Sequence, residues 1–145
     1  MKLSTKSRYA VTAMMELALN HDAGPVPLVE IAQRQRVSLS YLEQIFARLR
    51  SAGLVRGQRG PGGGFRLARP PEAISVGEIV AAVEDPDNAH QQLHGVSGQL
   101  WGLLSQEIFS FLSGITLARF AQSPELGKLL EQESPSQGPS DRTVA

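Results

Sequence analysis

Residues 57–65 read Gly-Gln-Arg-Gly-Pro-Gly-Gly-Gly-Phe, a glycine run set around an arginine. Such a run can cradle nucleotide phosphates, form the tip of a hairpin that approaches DNA closely, or serve as a linker. A P-loop needs Gly-x-x-x-x-Gly-Lys-Ser/Thr, because the lysine and the hydroxyl must meet phosphate and Mg²⁺. Gly57 and Gly62 have the spacing, but Gly63 and Gly64 stand where the lysine and hydroxyl belong. A dinucleotide fingerprint requires its glycines to open a helix. The residues that follow, Phe65-Arg66-Leu67-Ala68-Arg69-Pro70-Pro71, are no helix start.

Hydrolytic and metal chemistry find equally little support. The three histidines, His21, His90 and His94, fall in turn or loop sequence and carry neither an HExxH nor a Gly-x-Ser-x-Gly context. His90 and His94 would share one face if helical, with Glu84, Asp85 and Asp87 just upstream. A solvated loop pair is the plainer reading, so no metal site is assigned and no enzyme is expected. The chain has no cysteine, which excludes a disulfide framework, a thiolate metal site and a cysteine nucleophile.

The charges point elsewhere. Residues 1–70 hold eleven Lys/Arg against four acids, a net +7, whereas residues 71–145 hold three against ten, a net −7. A basic half joined to an acidic half suits a first half that meets a polyanion. Within that half, Leu42, Ile45, Phe46 and Leu49 recur at i, i+3, i+4 and i+7. If they face a core, then Ser40, Tyr41, Glu43, Gln44, Ala47 and Arg48 project outward, as reading base edges in a major groove requires. Gln44 suits adenine, and Glu43 can accept from a cytosine amino group. Ser40-x-x-Glu43 is equally a capping box, with Ser38 as good an N-cap candidate. Ser38 also stands at the DNA-facing end of this helix. Lys6, Arg8, Arg56 and Arg66 are placed to neutralise phosphates. Arg59, with Gly60, Pro61 and Gly62 around it, suits insertion of a hairpin tip into a narrow minor groove.

The elements needed to position these residues are legible. Ser4–Asn20 places Ala10, Ala13, Met14, Leu17 and Ala18 at helical spacing and ends at His21-Asp22-Ala23-Gly24-Pro25. Leu28, Ile31 and Ala32 mark a short helix closing near Gln35 and Arg36, and the third helix stops at Gly53. Leu54-Val55-Arg56 and Phe65-Arg66-Leu67 flank the glycine run as the strands of a hairpin. Helix, helix-turn-helix and hairpin is the order of a winged helix. Further on, Ile74, Val76, Ile79, Val80 and Val83 mark a helix whose capping box is Ser75-x-x-Glu78. Asp85–Ser97 has no apolar period and reads as a loop. Trp101, Leu104, Ile108, Phe111, Leu112 and Ile115 then line one face of a longer helix, widened by Leu100 and Leu103. That face meets either a partner chain or the chain's own core.

The fold class expected is therefore mainly α: a winged helix-turn-helix with a small β-hairpin wing, plus a long C-terminal dimerisation helix. Its parts are a DNA-binding domain (1–70), a helical dimerisation region (71–131, with a loop at 85–97) and a disordered tail (132–145) rich in Ser, Pro and Gly. No apolar run approaches the roughly 18–20 residues a membrane span needs, and charges interrupt the N-terminal stretch where a signal peptide would be apolar. A cytoplasmic protein is expected.

The segments STKSRYAVTAMMELALN, GPVPLVEIAQRQ, VSLSYLEQIFARLRSAGLV and RGPGGGFRLA, followed by ISVGEIVAAVE and LSGITLARF, resemble the IscR branch of a bacterial family of winged-helix transcription regulators. The resemblance implies a homodimer whose long C-terminal helix pairs across the dimer, bound to a partly palindromic promoter site in double-stranded DNA. It also implies that Ser40, Glu43 and Gln44 lie on the recognition helix and Arg59 and Pro61 on the wing. Members of the branch hold an iron–sulfur cluster with three cysteines ahead of the long helix and a histidine before an Ala-Leu-Trp step. Here the loop is short, cysteines are absent and the step reads Gly98-Gln99-Leu100-Trp101. Clusters are held chiefly by cysteine, so no cofactor is expected. The reading is a sequence-specific, dimeric repressor without a cluster. Constitutive binding, control by a ligand, metal or partner protein at the 85–97 loop, a nonspecific architectural role and a winged-helix protein-interaction module remain alternatives.

Overall fold

In the computed structural model, residues 4–84 and 95–121, with 124, 125 and 128, are described. Helix α1 (Thr5–Leu19) starts where the Ser4 hydroxyl accepts the Ser7 N–H, satisfying one of the amides a helix start leaves without a partner. Ala10, Ala13, Met14 and Leu17 form its buried face. Helix α2 (Leu28–Gln35) ends at Arg36, the one non-glycine residue at positive φ among those described (φ 59°, ψ 45°). That left-handed residue turns the chain straight into α3 (Leu39–Ser51), which Ser38 caps by accepting the Tyr41 N–H at 3.1 Å. Beyond α3, Gly53 takes φ 76°, a conformation that costs glycine little. Leu42, Ile45, Phe46 and Leu49 point from α3 into a core shared with Met14, Leu17 and Ile31.

Strands β1 (Val55–Gln58) and β2 (Gly64–Leu67) pair antiparallel, Val55 opposite Leu67 and Gln58 opposite Gly64. The hairpin is pinned at its base. Val26, just before α2, exchanges two backbone hydrogen bonds with Phe65, of 2.8 and 2.9 Å. Only a glycine fits at 64, because a Cβ there would lie 2.4 Å from the Val26 carbonyl carbon. The Phe65 ring then reaches Phe46 of α3 edge-on, with centroids 5.0 Å apart. The wing is thus fixed to both helices of the helix-turn-helix.

A 3-10 turn (Pro71–Ala73) leads to α4 (Val76–Val83), whose capping box is formed in full by Ser75 and Glu78. Ile74, Ile79 and Val83 enter the same buried cluster as α1 and α3, together with Leu117 of a short helix α6 (Leu117–Ala121). The change of charge at Pro70 is therefore not a break in packing. Between α4 and α6 lies α5 (Gly95–Ser113), so Gly95, Val96 and Ser97, expected in the loop, are helical. The rest of that loop, 85–94, with His90 and His94, lies outside the described residues, as does the 132–145 tail.

Helix α5 has no buried residue. Trp101 is 41%, Leu103 63% and Phe111 69% exposed. Ile115 departs from the expected stripe. It follows the helix, is buried against Val76 and Val80, and accepts the Val76 N–H at 2.8 Å. Leu112 packs partly on the same small cluster. The end of the stripe thus serves the chain's own core, while Trp101, Leu104 and Phe111 stay exposed and Ile108 half-buried. Gly77 makes the α4–α5 approach workable, since a Cβ there would fall 2.9 Å from the Ser113 Cα.

Candidate nucleic-acid interface

Helical spacing divides α3 into four lines of residues. Leu42, Ile45, Phe46 and Leu49 are buried. Ser40, Gln44, Ala47 and Ser51 make the outermost line, all exposed. Leu39, Glu43 and Arg50 form a flank turned toward the wing, and Tyr41 and Arg48 the opposite flank. Of the six residues expected to project outward, Ser40, Glu43, Gln44, Ala47 and Arg48 are exposed and Tyr41 is not. Tyr41 is half-buried, its ring edge-on to Tyr9 of α1 at 6.0 Å. Arg48 donates to the Val83 carbonyl at 3.1 Å and so ties α3 to the end of α4. Ser38, not Ser40, is the N-cap. Glu43 is therefore not held in a capping box, and its carboxylate is exposed on the wing side.

The remaining expected residues are spread over neighbouring elements. Arg8 is exposed on α1, while Lys6 is half-buried and engaged with neighbouring groups. Arg59, Gly60, Pro61 and Gly62 make the exposed wing tip, where Gly60 and Gly62 take φ of 95° and 74° and Gly63 donates to the Gly60 carbonyl at 2.9 Å. Between the wing and α3 lies an open groove of about 590 Å³, lined by Val29, Leu39, Glu43, Arg50, Arg56 and Arg59 among others. Sequence reasoning passed over Arg50 and the groove. The signal was present, since Arg50 stands seven residues after Glu43 and so on the same flank.

The arginines fall into two sets. Arg34 donates to Glu16 at 2.7 Å, Arg48 to Val83, and Arg69 to Glu78 at 2.8 Å. The Arg69 guanidinium and the Ser75 N–H hold the Glu78 carboxyl below the usual glutamate value. Arg8, Arg36, Arg50, Arg56, Arg59 and Arg66 are exposed, and their guanidinium groups make no hydrogen bond or ion pair among the described residues. Of these, Arg50, Arg56 and Arg59 line the groove between α3 and the hairpin, and exposed cations grouped in this way are what a polyanion site requires.

The cofactor that the resembled branch carries has no matching donors here. The chain lacks cysteine, and among the described residues no group of three or more His, Cys, Asp or Glu could hold a metal ion. An iron–sulfur cluster needs thiolates, and the residues do not fit it.

The helix-turn-helix and its pinned hairpin together define a winged helix of the kind used by DNA-binding transcription regulators. A family model described as Rrf2, iron-dependent transcriptional regulator, matches residues 3–123, and the chain belongs to that family. It is 45% identical to the HTH-type transcriptional regulator IscR of Aliivibrio salmonicida, over 92% of this chain and 85% of that protein. The solved structure of T. potens IscR superposes with a TM-score of 0.69 at 40% identity, covering 95% of this chain and 94% of that one. CymR, the global cysteine regulator of B. subtilis, gives a TM-score of 0.69 at 37% identity, over 83% of this chain and 96% of its own. The chain is a DNA-binding transcription regulator and not an enzyme. Among the described residues, no helix is long and apolar enough to cross a membrane.

Proposed function

We propose that the chain is a cytoplasmic, homodimeric repressor that reads a partly palindromic promoter site without an iron–sulfur cluster. The observation that carries this reading is the exposed set Ser40, Glu43 and Gln44 on α3, with the capping role taken by Ser38 and with the exposed Arg50, Arg56 and Arg59 nearby, whose guanidinium groups have no partner among the described residues. Hydroxyl, carboxylate and amide groups discriminate base edges, whereas arginines at the wing and on α1 neutralise phosphates without reading sequence. Gln44 pairs with adenine and Glu43 with a cytosine amino group, while Arg59 enters the minor groove. The exposed apolar face of α5, centred on Trp101, Leu104 and Phe111, supports the dimer. A face of that kind on one chain is covered by its symmetry mate when two copies pair. Two recognition helices then address half-sites about one helical turn, roughly 34–36 Å, apart. With no thiolate to hold iron, the signal comes through something other than a cluster on this chain.

Selection of bound sequences from a random DNA pool, followed by gel shift across a salt series, tests the reading. A palindromic motif is expected, with affinity falling steeply as salt rises. Glu43→Ala is expected to change the motif. The pair Trp101→Glu and Leu104→Glu is expected to give a monomer on sedimentation and to lose the palindromic site. An unaltered chain that shifts no DNA at low salt would be a protein-interaction module instead, and one that covers DNA uniformly would be architectural.

A further inference from the structure

Helix α5 stands clear of the rest of the chain along much of its length. None of its residues is buried, and from Gly95 to Leu104 only Gly98 is even half-buried. Its other end is strapped to the start of α4. Val76 donates to the Ile115 carbonyl at 2.8 Å and Leu117 to the Ile74 carbonyl at 3.0 Å, with Ser75 opposite Thr116 as an antiparallel bridge. Val76, Val80 and Ile115 close the apolar side of this strap, and Leu112 packs on them. At its centre Gly77 is buried against the last turn of α5, where a Cβ would meet the Ser113 Oγ and fall 2.9 Å from the Ser113 N and Cα. The α4 side of the strap belongs to the DNA-binding body, because Ile74, Ile79 and Val83 lie in the same core as α1 and α3. The direction in which α5 projects is thus decided over one short stretch, where a glycine lets two backbones touch.

We infer that the Gly77–Ser113 contact is the pivot that sets how far apart the two recognition helices stand, and hence which half-site spacing an operator must have. The inference rests on the homodimer proposed above, in which α5 of each protomer meets its symmetry mate, and adds the residue that fixes the angle between arm and body. The connection from one recognition helix to the other then runs along α5 and through two copies of this strap. Gly77 is a positioning residue: it is buried and meets neither base nor phosphate, so its effect falls on spacing and not on half-site sequence. The lever is long enough to matter. Carbon atoms in contact stand about 3.5–4.0 Å apart, so alanine at 77 pushes the end of α5 outward by about 0.6–1 Å. With 1.5 Å of rise per residue, that shift levered about the half-buried Ile108 carries the free end of α5 about 2 Å. Two copies change the separation by about 3–5 Å, and one base-pair step is about 3.4 Å.

The test selects for spacing as well as sequence. A DNA pool that carries the selected half-sites, with their centre-to-centre separation varied one base pair at a time, is offered to the unaltered full chain and to Gly77→Ala. The unaltered chain should prefer one spacing. Gly77→Ala should prefer a spacing shifted by about one base pair, with the same half-site sequence. Leu112→Ala removes the support beside the pivot without adding a clash, and should accept neighbouring spacings that the unaltered chain rejects. It carries the test by itself if Gly77→Ala does not fold, which thermal melts report. Gly102→Ala is the control. A Cβ there meets nothing within 4 Å, and the position lies about 200° around α5 from Leu104, so the original spacing should be kept. A folded pivot variant that keeps the original spacing profile, alters the half-site sequence, or sediments as a monomer overturns the pivot assignment while leaving DNA binding intact. An unaltered chain that selects no paired half-sites overturns the homodimer reading, and the pivot with it.

Discussion

The ion pair between Glu16 and Arg34 should govern the stability of the whole helix-turn-helix. Glu16 is 2% exposed on α1, and the Arg34 side chain is 14% exposed at the end of α2. Arg34 Nε donates to Glu16 Oε1 at 2.7 Å, and Gln35 Nε2 reaches the other oxygen at 3.3 Å. Replacing Arg34 by Met keeps the stem volume and leaves a buried carboxylate with one long hydrogen bond. Breaking a buried pair from one side costs about 3–5 kcal/mol. Domains of this kind hold only about 5–15 kcal/mol in all. Arg34→Met should therefore lower the urea midpoint by about 2 M, taking about 2 kcal/mol/M for the denaturant slope, with that slope unchanged. The double variant Glu16→Leu with Arg34→Met should recover most of the loss, because a hydrophobic pair of similar volume is often as stable as the ion pair. A single variant within about 1 kcal/mol of the parent would refute the reasoning. So would a double variant no better than the single one, since the penalty would then not come from the stranded charge.

Gly64→Ala sets a Cβ against the Val26 carbonyl at 2.4 Å and forces the two Val26–Phe65 hydrogen bonds apart. Two lost hydrogen bonds and backbone strain come to about 2–4 kcal/mol. Urea unfolding should show that loss, and gel shift should show weaker DNA binding because the wing has lost its anchor. Glu78 gives a pH signature. Its carboxyl is held low in the folded chain by the Arg69 hydrogen bond and by the Ser75 N–H, so its contribution is present above the ordinary value of 4.5 and is lost as pH falls below it. Both side chains of the Arg69 pair are more than a third exposed, which limits the effect to about 0.2–1 kcal/mol. Glu78→Gln should be less stable than the parent at pH 7, and the gap should close in melts taken below about pH 4.5; a gap that persists in acid would assign the loss to packing.

The sequence by itself determined the local elements. Apolar spacing of three and four residues drew α1, α2 and α3, Gly53 marked the end of α3, and Ser75 with Glu78 marked the start of α4. These are signals carried within a few residues, so backbone geometry translates them directly. The absence of cysteine was equally legible, because an iron–sulfur cluster depends on a residue type before it depends on any fold. Tertiary structure decided which of several local options prevailed. Ser38 and Ser40 were interchangeable caps on paper, and only the left-handed turn at Arg36 set the register in which Ser38 accepts Tyr41 N–H and Glu43 goes free. Tyr41 looked outward on a helical wheel until Tyr9 of α1 met its ring, and Arg48, though exposed, is tied back to the Val83 carbonyl at the end of α4. Ile115 continued an apolar stripe by spacing, yet the chain turns after Ser113 and buries it beside Val76 and Val80. Spacing along one helix tells which residues share a face; what that face meets depends on contacts between residues distant in the chain.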